Sequence, residues 1–165
     1  MLAVIASEVN LQFNKVELER SFVQGYLRDS KVYEQGTYNG RQLKILGFTL
    51  CRHAKQSKAL DCLWALINPE FKDKISKETI KVFYEEMLYF AIDLPLKMER
   101  INDQPNEEVL NYLVQLTDKK DRFLFDKLKA FTPEVDRKQF DAVLSEEDCA
   151  GYRIRAQVAP ELARN

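Results

Sequence analysis

Thr37-Tyr38-Asn39-Gly40-Arg41-Gln42-Leu43-Lys44-Ile45-Leu46 lies over Lys74-Ile75-Ser76-Lys77-Glu78-Thr79-Ile80-Lys81-Val82-Phe83 at an offset of 37 residues. In both stretches one apolar residue, Tyr38 or Ile75, is followed directly by a helix-capping residue type. Polar residues come next, and then a helix opens with apolar side chains at matching positions. An amphipathic helix and a polar loop of about a dozen residues precede each copy. A shorter echo of the same landmark stands at Val135-Asp136-Arg137-Lys138-Gln139-Phe140, behind a loop too short to match the other two.

Outward from these copies the apolar residues keep helical spacing. Val4 to Leu27 reads as one long helix or two short ones, and Arg28 to Asn39, with Asp29, Ser30, Gly36 and Asn39, reads as a loop. A helix through Leu43, Ile45, Leu46, Phe48 and Leu50 follows, then another from about Ala59 to Ile67, which Asn68-Pro69 stops. Ser76 caps a helix carrying Ile80, Phe83, Met87, Phe90 and Ile92, which Pro95 ends or kinks. The polar segment Arg100–Asn106 is a candidate linker. Stripes at Val109, Leu110, Leu113 and Leu116 and at Phe123, Leu124, Leu128 and Phe131 follow it, and Thr132-Pro133-Glu134 starts a last helix through Phe140, Val143 and Leu144. The expectation is an all-α chain with a helical lobe over 1–98, a C-terminal helical extension over 106–150 and a flexible tail over 151–165.

The layout of helix, loop, apolar landmark and capped helix resembles the EF-hand superfamily, in the form of a paired, calmodulin-like lobe over roughly residues 14–92. The resemblance implies that Tyr38 and Ile75 pair in a short β-bridge, and that Gly36 permits the sharp loop bend; Asp73 stands in its place in the second copy. It also implies where calcium ligands would sit: Lys31, Tyr33, Gln35, Asn39 and Gln42 in the first loop, and Asn68, Glu70, Lys72, Ser76 and Thr79 in the second. Calcium takes about six to eight oxygens, mostly carboxylate, and usually a closing bidentate Glu. Lysines occupy ligand positions here and neither loop closes on Glu, so no metal or other cofactor is expected.

Composition narrows the remaining classes. With 45% hydrophobic and 31% charged residues the 165-residue chain can bury a core, and a net charge of −1 supplies no global field toward nucleic acid or anionic membrane. Cys51, Cys62 and Cys149 match no metal or redox spacing and read as free thiols in a reducing compartment. The run Met1 to Ala6 lacks the basic flank of a signal peptide, and no apolar stretch reaches the roughly 18 residues of a membrane span. A cytoplasmic setting follows. Catalysis finds little support: the single His53 lies two residues from Cys51, a spacing that points them apart on a helix, and no phosphate loop, zinc spacing or acylating serine motif occurs.

Three features suggest binding. Arg41, Lys44, Arg52, Lys55 and Lys58 form a basic run without acids, either a solvated helix end or a dock for an acidic peptide or tail; its lack of interleaved aromatics argues against single-stranded nucleic acid. The helix Ile80–Leu96 is apolar around most of its circumference, so either it packs on two faces or Phe83, Met87 and Phe90 line a groove for a partner helix. In the tail, Tyr152 and Ile154 are candidate anchors that order against a partner. The combined expectation is a calcium-independent protein–protein interaction module, an adaptor or structural subunit of a larger assembly; the resemblance adds a cytoskeletal or ciliary setting. A calcium sensor and a small enzyme of unrecognised chemistry are the alternatives.

Overall fold

Four asparagine, serine or aspartate side chains start the helices that frame the molecule. In the computed structural model, which describes residues 22–50, 56–143 and 151–160, Asn39 Oδ1 accepts the Arg41 and Gln42 N–H groups. Ser76 Oγ accepts the Thr79 N–H, Asn106 Oδ1 accepts those of Glu108 and Val109, and Asp136 Oδ1 accepts that of Gln139. Each cap satisfies donors that the first helical turn leaves unpaired, worth about 1 kcal/mol.

The chain runs α1 (Phe22–Leu27), β1 (Tyr33–Glu34), β2 (Thr37–Tyr38), α2 (Gly40–Leu50), α3 (Gln56–Ile67), β3 (Lys74–Ser76) and α4 (Lys77–Leu88). A π-helical turn (Tyr89–Asp93) then leads into α5 (Leu94–Arg100), α6 (Glu107–Lys129), β4 (Glu134–Asp136), α7 (Arg137–Val143) and α8 (Gly151–Val158). The protein is mainly α-helical, with two small antiparallel sheets among the described residues. No described helix is long and apolar enough to cross a membrane.

The sheets pair differently from the expectation. Tyr38 does not meet Ile75; it pairs with Tyr33 across a hairpin, their rings 4.8 Å apart. The cause is local. Gln35 and Gly36, at φ 49° and 84°, form the two-residue turn whose twist matches a hairpin, so the first loop folds back on itself. Ile75 pairs instead with Val135, flanked by Lys74 with Asp136 and Ser76 with Glu134. The short third echo is thus the partner of the second copy. Arg137 reinforces this union, donating to Asp61 on α3 at 2.8 Å and to Asp141 on α7 at 2.7 Å, and Trp64 packs on Phe140 with ring centroids 5.3 Å apart.

The core is one cluster that draws on nearly every element, with Phe83, Met87, Phe90, Leu116, Val135 and Phe140 all buried. The segment after residue 106 is therefore packed into the same core as the segment before 98: α6 lies against α4, α5 and the π-helical turn. Lys120 on α6 binds Asp93 in that turn at 2.6 Å.

Pro95 does not end its helix. Lacking an N–H, it leaves the Ala91 carbonyl without its donor four residues on. The backbone responds with a π-helical turn, in which the Leu94 N–H reaches Tyr89 O, and Arg155 Nη1 from α8 donates to Ala91 O at 2.9 Å. This contact involves the segment that the sequence reads as a tail. Residues 151–158 form α8, whose Ile154 and Val158 are buried against α2, α4, α6 and the π-helical turn. Gly151 lets that helix start close to α2: a Cβ there would come within 2.9 Å of Thr49 O.

Candidate functional site

The loops before β2 and β3 are where a calcium-binding unit would gather oxygens, and in this chain they are held by their own side chains. Asn68, 2% exposed, follows the last residue of α3. Its Oδ1 accepts the Lys72 N–H at 2.9 Å and its Nδ2 donates to the Lys72 carbonyl at 2.7 Å, while the Phe71 N–H reaches Asn68 O at 3.1 Å. One amide thus clasps the whole bend and holds Phe71 at φ 52°, a left-handed conformation costing a non-glycine residue roughly 1–2 kcal/mol.

In the first loop the carboxylate of Asp29 is wholly buried. It accepts from Lys97 Nζ at 2.7 Å, the Tyr89 hydroxyl at 2.9 Å and the Lys31 N–H at 3.0 Å. Burial works against its charge, but the hydrogen bonds from Lys97, Lys31 and Tyr89 outweigh it and hold the carboxyl below its ordinary range. Burial and the bond to Asp29 push the Tyr89 hydroxyl up. The cation that this carboxylate meets is therefore an ammonium of the same chain. In the third loop Asp136 and Gln139 bond each other's N–H groups, a reciprocal cap.

An apolar opening lies elsewhere, between α2, α3 and α4: a half-open groove of about 950 Å³ lined mainly by apolar side chains, among them Leu43, Phe48, Leu66, Ile67 and Val82. Val82 is 39% exposed although apolar. Among the described residues, the charged ones in the lining are Arg41 and Lys44, and none is a carboxylate.

The expected groove residues sit in a different place. Phe83, Met87 and Phe90 are 0%, 1% and 1% exposed, covered by the chain's own helices, so they are core and not an open surface. α4 buries Ile80, Phe83, Tyr84, Met87 and Leu88, while its outer side carries Glu78, Lys81 and Glu85 together with Val82, which lines the groove just described. Of the basic run, Lys44 is exposed on α2, whereas Arg41 binds Glu86, which also accepts Gln42 Nε2 at 2.6 Å. Among the described residues Glu86 Oε2 and Gln42 Oε1 find no hydrogen-bond partner although buried, so this cluster is structural and costly. Arg52 and Lys55 lie outside the described residues, as do Cys51 and His53 and the side chains of Lys58 and Tyr152. Ile154 anchors α8 within the fold itself.

Two features escaped the sequence reading. Asn68 was legible as a helix stop and as a would-be ligand position but not as a clasp, although an asparagine at a helix end is a common loop-closing residue. The groove had a fainter signal, since Leu43 and Val82 stand off the main stripes of their helices. No protein-family model, characterised protein or solved structure matches the chain.

Proposed function

We propose that this chain is a calcium-independent protein–protein interaction module, built on EF-hand-like helix-loop-helix units and serving as an adaptor or structural subunit of a larger assembly. The observation that carries this reading is the Asn68 clasp. In a calcium-responsive hand the ion gathers loop oxygens and shifts a conformational balance. A ligand shifts such a balance only by its differential affinity for the two states. Where an amide already gathers the loop and Lys97 already neutralises Asp29, a cation has nothing further to organise. The units then act as rigid supports, and the surface they support is the apolar groove between α2, α3 and α4, fit for an inserted helix.

Kinship with EF-hands is supported by the antiparallel pairing of Ile75 with Val135, each followed at once by a capped helix. A cytoskeletal or ciliary setting belongs to the same resemblance. Affinity capture tests the function. The immobilised chain should retain the same partner proteins in calcium and in chelator, and Val82→Asp should lose them while the fold persists. Partners that bind only with calcium would instead favour a calcium sensor.

A further inference from the structure

We propose that the groove between α2, α3 and α4 receives an amphipathic helix of a partner protein that carries carboxylates beside its apolar stripe. This names the partner chemistry for the helix-binding role above and rests on it. The floor of the groove is apolar, and Val82 and Ala65 stand exposed within its walls, so a helix laid there removes apolar surface from water that the described residues leave uncovered.

Charge then selects among helices. Among the described residues the groove's two charged ones are both cationic, in a molecule whose net charge is −1. Lys44 is exposed and has no ion pair among the described residues; Arg41 shares its charge with Glu86. Two helices also begin at this groove. Gly40 opens α2, and Thr79 stands in the first turn of α4. Each helix start carries up to about half a positive charge, partly satisfied by the caps Asn39 and Ser76. Lys44 and two helix starts around an apolar floor complement a helix with Glu or Asp flanking its Leu-type stripe. A basic-flanked helix would bring like charge against them.

The test uses the full chain and three synthetic helical peptides of about 18 residues, about five turns. They share one Leu stripe and differ only in flanking Glu, Gln or Lys, and fluorescence anisotropy reads their binding. The Glu peptide should bind about tenfold or more tighter than the Lys peptide at low salt, with the gap closing as salt rises. Lys44→Glu should reverse that ranking. Val82→Asp and Ala65→Asp should weaken all three peptides by about tenfold or more, with helical circular dichroism unchanged. Equal binding of the three peptides would overturn the acidic preference and leave helix binding standing; binding of none would overturn both readings. Undiminished binding to Val82→Asp would move the site off this groove. Dimerisation of the free chain that Val82→Asp abolishes would seat a second copy there and also overturn the proposal.

Discussion

Replacing Asp29 with Asn keeps the shape of the first loop's buried anchor but removes the charge that Lys97 and Tyr89 address. Lys97 is half exposed and regains water, so the loss is that of charge-assisted hydrogen bonds, about 1.5–3 kcal/mol. Thermal melting should report it. The pH dependence has a fixed sign. Because the folded Asp29 titrates below its unfolded value of about 3.9, its contribution is complete above that pH and disappears as pH falls through the lower folded value. The wild type should therefore lose more stability than Asp29→Asn between pH 5 and acid unfolding, and parallel acid limbs would show that the carboxylate is not coupled to folding. Asp29 was legible in the sequence only as a turn former, because its partners Tyr89 and Lys97 are supplied by another part of the chain. The caps Asn39 and Ser76 were legible because a cap acts on residues two or three positions away.

At the scale of elements the same distinction holds. Helical spacing located the amphipathic segments from Leu43 to Val143, since each burial stripe is written within its own helix. Strand pairing was not so written. Tyr38, Ile75 and Val135 carry the same local pattern, and the two-residue hairpin at Gln35-Gly36 decided which pair forms. The helix over 151–158 is hard to read in the sequence for a similar reason: Ile154 and Val158 are too few to advertise it, yet Arg155 meets a carbonyl that Pro95, far away in sequence, left without a donor. Arg155→Ala should destabilise the protein by about 1–3 kcal/mol, the cost of an unpaired polar group. It should also speed amide exchange over 151–158. Arg155→Lys, which keeps a donor, should lose less. Unchanged exchange in Arg155→Ala would mean that α8 is held by its apolar residues alone.

For the molecule as a whole, the proposed function makes three helix-loop-helix units a fixed scaffold for an outer groove. Two of the units are joined through Ile75 and Val135, and the first is folded back on its own hairpin. The overall helical class followed from composition and spacing, because both integrate over many residues. The groove did not, because it lies where three helices diverge, and no single segment records that divergence. On the proposed reading, this scaffold differs from a calcium switch because Asn68 and Lys97 already do the organising that an ion would do. Amide hydrogen exchange over residues 28–39 and 68–75, compared in saturating calcium and in chelator, tests this most directly. The account predicts superposable exchange at every amide of both loops. A saturable slowing of exchange in either loop at micromolar calcium would contradict it.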